Sequence, residues 1–115
     1  MILRLLAVLF VLIPLAADAK NPDCAGINRW ATRMAFAELK NAGITENDKV
    51  DFAQTRTVRL ASEKIGKDLY RQVHHITFTE KSGKIIEVIT VNDASSQECS
   101  MSGVEVYVIA KHLGA

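Results

Sequence analysis

The chain has 115 residues and a formal net charge of +1, with 49% hydrophobic and 23% charged residues. This length predicts a single domain with a small core that a covalent cross-link would help to stabilise. The near-neutral charge argues against nucleic acid or a membrane surface as the partner. The basic residues do not cluster with aromatic ones in the way that nucleic-acid-binding surfaces do.

Residues 1–19 have the pattern of a secretory signal peptide. Arg4 precedes an apolar run over residues 5–17, and the small residues Ala17 and Ala19 flank Asp18 at a cleavage position. The apolar run is too short for a comfortable membrane span. We therefore expect residues 20–115 to form one soluble α+β domain in the periplasm.

Cys24 and Cys99 are the two cysteines of the chain. In an oxidising compartment this pair predicts one structural disulfide between the start of a helix and a late loop. Closing so long a loop is worth roughly 4 to 5 kcal/mol in the chain-entropy model. The chain has no CxxC motif, which would have indicated a catalytic or metal-binding thiol.

Residues 21–43 predict the main helix. Asn21 is the candidate cap, Pro22 suits the first turn, and Gly43 suits a left-handed C-cap. At helical spacing one broad side is expected to be buried against a sheet, and it collects Ile27, Trp30, Ala31, Met34, Ala35, Leu39 and Ala42.

The opposite side of the predicted helix has a stripe of three positive charges around one aromatic residue: Arg29, Arg33, Phe36 and Lys40. The stripe has two interpretations. It is a solvated charged face, or it binds a partner, because an exposed Phe36 has no structural use.

Strand patterns follow the helix. Residues 50–62 predict a first strand that buries Val50, Phe52, Val58 and Leu60, and a turn is expected at residues 65–68. Residues 69–80 predict a second strand, with a bulge near His74 and His75 that would bring its apolar residues to one face.

A hairpin turn at residues 81–84 leads into residues 85–91, a strand that is apolar on both sides. Such a strand lies centrally or presents its outer face to another protein. Residues 92–103 form a serine-rich loop, and residues 104–109 form the last strand. One N-terminal helix packed on a curved four-stranded antiparallel sheet is the α+β fold that we expect.

Residues that could carry out chemistry are few. Adjacent residues such as His74 and His75 point to opposite faces of a strand unless a bulge intervenes, and no carboxylate stands beside them at ligand spacing, so we assign no metal site. A hydrolase would require a loop serine with His112 as base, or Glu80 with Glu87 across the hairpin. No GxSxG, HExxH or glycine-rich phosphate motif supports catalysis or a cofactor.

Two predicted surfaces have features that contact with water alone does not explain. An apolar outer sheet side, carrying Tyr107 and Ile109, predicts a homodimer seam or a partner site. The serine-rich loop, held by Cys99, would lose little entropy on docking to a partner. The same segment is equally consistent with an ordinary long connection between two strands. The candidate partner-binding residues are Ser95, Ser96, Gln97, Glu98, Ser100 and Met101 in the loop, with Arg33 and Phe36 on the helix.

The cleavage site at Ala17-Asp18-Ala19, the Cys24 and Cys99 pair, the segment WATRMAFAELKNAG and the serine-rich loop together resemble small periplasmic immunity proteins. These proteins neutralise cell-wall amidases delivered by type VI secretion, and their layout is similar to cystatin-like and nuclear-transport-factor-2-like sheets. The resemblance implies a non-catalytic inhibitor that occludes an amidase cleft. The chain lacks the Gln-Val-Val-type wedge of cystatins, so inhibition of cysteine proteases is not implied.

Two other functions stay open. A small-molecule or lipid-binding periplasmic module would place a cavity between the helix and the sheet, although the alanine-rich helix face favours close packing. A small exported hydrolase would require a titratable cluster in a pocket.

Overall fold

The computed structural model describes residues 21–114, which form one helix on one face of a four-stranded antiparallel sheet. The predicted signal peptide lies outside these residues. Each strand pairs with the next one along the chain, which confirms the α+β fold class. The elements are α1 (Trp30–Asn41), a 3-10 helix (Phe52–Gln54), β1 (Arg56–Gly66), β2 (Leu69–Thr79), β3 (Ile85–Ala94) and β4 (Glu105–Val108).

Helix α1 begins later than its sequence pattern predicts. Its N-cap is Arg29, which makes no side-chain capping hydrogen bond, and Ile27 is 46% exposed in the turn before the helix. The predicted start at Asn21 and Pro22 is wrong because this segment crosses the sheet, where the Pro22 carbonyl accepts hydrogen bonds from Arg59 and Gln72.

The end of α1 agrees with the prediction. Gly43 adopts a φ of +74°, and its N–H donates to the Lys40 carbonyl while Ile44 N–H donates to that of Leu39. These bonds satisfy carbonyls that a helix end leaves without partners. No helix within residues 21–114 is long and apolar enough to cross a lipid bilayer.

The apolar core lies between α1 and one half of the inner sheet face. Small residues on the helix let it approach the strands closely, and the predicted burial of Ala31, Ala35 and Leu39 is confirmed. The buried core residues are Ala31, Ala35, Leu39, Val50, Ile76, Phe78, Ile86 and Val88.

The first strand differs most from the prediction. Val50 forms only an isolated bridge with Glu80, and Phe52 lies in the 3-10 helix. Val58 and Leu60 are 48% and 56% exposed instead of buried. The reason is the register of β1, an edge strand. Val58 pairs with His75 on the outer face, and Leu60 lies at the register shift between Arg59 and Ala61.

Strand β2 has no bulge near its histidines, contrary to the prediction. Its pairing with β3 runs without a break from Tyr70 to Thr79, and the register shifts lie in β1. His74 therefore points to the inner face and His75 to the outer face. Leu69 and Val73 remain on the outer face because the alternation is never interrupted.

The remaining connections agree with the sequence. The hairpin turn at residues 81–84 contains Gly83 at a φ of +97°, and β2 and β3 are the two central strands. The turn between β1 and β2 is tighter than expected, because Gly66 still pairs with Leu69.

Candidate functional site

The predicted disulfide is present between Cys24 and Cys99, with an Sγ–Sγ distance of 2.07 Å. It joins the segment that precedes α1 to residues 95–104, the connection between β3 and β4, which we call the Cys99 loop. The bond links positions 75 residues apart in sequence, so it ties the start of the described chain to the connection before the last strand.

Hydrogen bonds close the first half of the Cys99 loop on itself. The N–H of Ser95 donates to the Glu98 carbonyl at 2.8 Å, and Ser95 Oγ accepts from the N–H groups of Gln97 and Glu98 at 3.2 and 3.1 Å. Ser96 donates from its N–H and its hydroxyl to the Asp68 carboxylate at 3.1 and 2.8 Å. The loop is therefore held against the β1–β2 turn.

The second half of the loop is held by the sheet and by α1. The N–H of Met101 donates to the Asp93 carbonyl at 3.1 Å, and Asn92 Nδ2 donates to the Cys99 carbonyl at 3.1 Å. The indole N–H of Trp30 donates to the Ser102 carbonyl at 3.0 Å. These contacts fix the loop on both sides of the disulfide.

Most of the predicted contact residues of the loop face solvent. Ser96, Gln97, Glu98 and Ser100 are exposed, and Met101 is 46% exposed. Ser95 is an exception to the prediction, because it is buried and its hydroxyl holds the turn. Ser95 therefore shapes the loop instead of presenting a contact surface.

The helix stripe is also different from the prediction. Arg33 is exposed, but Phe36 is half-buried and its ring contacts Phe52 edge-on at 4.9 Å and Phe78 at 5.9 Å between centroids. The expectation of an aromatic ring exposed between positive charges is therefore wrong. Phe36 forms part of a wall between α1 and the chain leading into β1.

This wall belongs to a cleft of roughly 290 Å³ at the edge of the helix and sheet, which we call the aromatic cleft. Its base is apolar, and Arg33 stands on its helix side. Thr55, buried at the cleft, has no hydrogen-bond partner for its Oγ1. The lining residues are Ile27, Asn28, Thr32, Arg33, Phe36, Phe52, Thr55 and Phe78.

The outer sheet face carries apolar residues, as predicted. Tyr107 pairs with Ile89 and is 53% exposed, and Ile85 is 52% exposed. A polar contact also crosses this face, because His75 Nε2 lies 2.9 Å from Glu87 Oε1. Spacing along the chain does not reveal this pair, because Glu87 lies 12 residues after His75 and the two meet only across the pairing of β2 with β3.

The groups considered for hydrolysis do not assemble. Glu80 is buried and accepts a hydrogen bond of 2.7 Å from Thr45 Oγ1, whereas Glu87 contacts His75 on the outer face. Glu80 and Glu87 therefore do not form a pair across the hairpin. Among residues 21–114, no hydrogen bond joins a loop serine to His112, and no three His, Cys, Asp or Glu side chains group as metal ligands.

A second feature missed from the sequence is a set of buried polar residues on the inner face. Gln72, His74, Thr90 and Asn92, the polar quartet, are adjacent positions of β2 and β3 and at most 3% exposed. Each has a side-chain atom without a hydrogen-bond partner. The sequence did indicate their burial, because all four have even residue numbers, as do the core residues of the same strands.

Burial lowers the pKa of His74 below its ordinary value of 6.5. The positive charge of Arg59, its cross-strand neighbour, acts in the same direction, and Asp23 opposes it.

The Cys99 loop and the aromatic cleft both combine a defined shape with exposed groups. No family model, curated protein or solved structure matches the chain.

Proposed function

We propose that this chain is a non-catalytic periplasmic binding protein that inhibits a secreted peptidoglycan amidase by occluding its active-site cleft with the Cys99 loop. The observation that carries the proposal is that the loop is fixed in place while its middle residues remain exposed. It combines one covalent cross-link with hydrogen bonds on both sides of Cys99, while its middle residues face solvent.

Fixing the loop before binding favours affinity. Ordering a flexible interface side chain costs about 0.5 to 1.5 kcal/mol, and a preformed loop avoids much of the corresponding backbone cost. Met101 adds a half-exposed thioether that adapts to an irregular apolar pocket, and the hydroxyl and amide groups around it donate and accept hydrogen bonds. This combination suits an enzyme cleft that has an apolar subsite and a polar rim.

The choice of a cell-wall amidase as the partner comes from the resemblance to periplasmic immunity proteins. The loop geometry itself supports the broader statement, namely a protein that binds another protein's cleft. The two levels are tested separately.

The broader level is tested by purifying the tagged, oxidised chain with its partner from an extracytoplasmic extract, then measuring inhibition of the partner's hydrolase activity. Met101→Asp should weaken inhibition by about tenfold or more, because it places a charge where an apolar contact is expected. The matched control is Leu113→Asp, which alters an exposed apolar residue in the C-terminal tail and should leave inhibition unchanged.

Equal effects of the two variants would exclude the Cys99 loop as the contact surface. Substrate turnover by the purified chain alone would overturn the proposal of a non-catalytic protein.

The narrower level is tested in cells that encode this chain. Deleting its gene should make these cells susceptible to lysis by type VI-competent siblings, and expressing the chain with its leader should restore protection. Survival of the deletion strain beside amidase-secreting siblings would argue against immunity, whatever the binding experiment shows.

A further inference from the structure

The aromatic cleft has an apolar body. Phe78 closes its base and is 1% exposed, while Phe36 and Phe52 form a wall with their rings at 76° to each other. Phe52 and Ile27 remain 42% and 46% exposed at the cleft. These two side chains expose apolar surface that an apolar group in the cleft would remove from water.

The cleft also has a cationic end. Arg33 lies on the second turn of α1, and its guanidinium makes no ion pair or side-chain hydrogen bond with any residue in 21–114. Asp51, which precedes the wall residue Phe52 in sequence, has its carboxylate engaged by Gln54 Nε2 at 2.7 Å. The positive charge at the cleft is therefore available to a ligand.

Further polar groups line the cleft. Asn28 contributes an amide, and Thr55, 8% exposed, has a hydroxyl without a partner among the described residues. The hydroxyl of Thr32 is already engaged, at 2.7 Å from Thr57 Oγ1. A buried hydroxyl without a partner is costly, so a ligand that offers an acceptor or donor there gains by pairing with it.

We infer that the aromatic cleft binds a small organic carboxylate whose aromatic or branched aliphatic body lies against Phe36, Phe52 and Phe78 while its carboxylate pairs with Arg33. A planar guanidinium matches a carboxylate through two parallel hydrogen bonds. The volume of roughly 290 Å³ is at the low end for ligand pockets, which favours a body of one ring over a long acyl chain. This site is independent of the Cys99 loop and of the proposed inhibition.

The test uses the full oxidised chain labelled with ¹⁵N, titrated with 3-phenylpropionate and with its neutral analogue 3-phenylpropanol. The carboxylate should cause saturable amide shifts in residues 27–36 and 52–55. Arg33→Gln should raise the dissociation constant for the carboxylate about tenfold, since it removes the charged partner. The same variant should leave the weaker binding of the alcohol unchanged.

The matched control is Arg29→Gln, which removes an exposed arginine close by in sequence that does not line the cleft. It should bind the carboxylate like the parent chain. Phe52→Ala should weaken both probes, with its circular dichroism spectrum showing that it remains folded. The inference is overturned if no saturable shifts occur, if Arg29→Gln and Arg33→Gln behave alike, or if Phe52→Ala binds both probes normally.

Discussion

His74 is fully buried with both ring nitrogens unpaired, which is an unfavourable position for a group that can take up a proton. It shares the inner face with Gln72, Thr90 and Asn92, so the polar quartet occupies the half of the sheet that α1 does not cover. The nearby Pro22 carbonyl is already bonded to Gln72 Nε2 and to Arg59. The quartet therefore carries an energetic cost that depends on pH through His74.

The direction of this dependence follows from the lowered pKa of His74. Below pH 6.5 the unfolded chain binds a proton at His74 that the folded chain resists, so stability falls as the pH drops through this range. For one proton the loss is at most about 1.4 kcal/mol per pH unit, and it stops below the folded-state pKa. In urea denaturation, the free energy of unfolding of His74→Leu should fall less between pH 7.5 and pH 5.5 than that of the parent chain.

The control for this prediction is His112→Gln, because His112 is exposed near the C-terminus. This variant should lose as much stability between pH 7.5 and pH 5.5 as the parent chain does. If His74→Leu loses as much stability between the two pH values as His112→Gln does, then His74 is not the group responsible.

Three glycines in residues 21–114 have a positive φ, and two of them end α1 and form the β2–β3 hairpin turn. Gly43 and Gly83 have φ values of +74° and +97°, where a side chain is strained even though the space around both is open. Alanine at either position should lower the free energy of unfolding by about 1 to 2 kcal/mol. Gly103→Ala is the matched control, since Gly103 also faces open space but lacks a positive φ. A comparable loss for Gly103→Ala in urea denaturation would contradict this explanation.

At the scale of elements, local patterns predicted the position of β2, the start of β3 and their hairpin, but not the unbroken pairing of β2 or the end of β3 at Ala94. Residues 69–80 and 81–84 agree with the structure because alternation and a turn glycine act over a few neighbouring residues. The start of α1 could not be predicted in this way. The disulfide and the bonds to the Pro22 carbonyl hold residues 22–24 across the sheet, and these contacts come from residues far away in sequence.

The same limit applies to the candidate site. The exposed middle of the Cys99 loop could be predicted, because a serine-rich segment next to a cysteine has few ways to be buried. The aromatic cleft could not, because it combines Phe36 and Phe52 with Phe78, and these residues belong to three different elements. An alternating pattern also placed Phe52 in a strand, although it lies in a 3-10 helix.

The disulfide should contribute strongly to stability. In the chain-entropy model, a cross-link that spans 75 positions is worth about 4 to 5 kcal/mol. This is a large share of the total expected for a small domain. The double variant Cys24→Ser with Cys99→Ser should lose about this amount in urea denaturation, and the reduced parent chain should behave like it.

A loss below about 1 kcal/mol would show that the loop is held mainly by its hydrogen bonds. Ser95→Ala is the comparison, because it removes an acceptor for two N–H groups while leaving the disulfide in place. It should cost about 1 to 3 kcal/mol, less than the double variant.

Across the whole molecule, the strands of the sheet are unevenly covered by the rest of the chain. Helix α1 and the segment before it cover the inner faces of β2 and β3, while β1 is exposed at nearly every position, most clearly over residues 63–66. Strand β4 has four residues and pairs with β3 alone. Stability should therefore decrease from the centre of the sheet towards both edges.

Amide hydrogen exchange of the oxidised chain measures this gradient. The amides of β2 and β3 between residues 72–78 and 86–92 should exchange most slowly, because opening them requires removing α1 and both neighbouring strands. Amides of residues 61–66 should exchange earlier, through local opening of an edge strand that has little buried apolar surface. Slow, uniform exchange across β1 would contradict this gradient, because it would require another surface to cover the outer half of that strand.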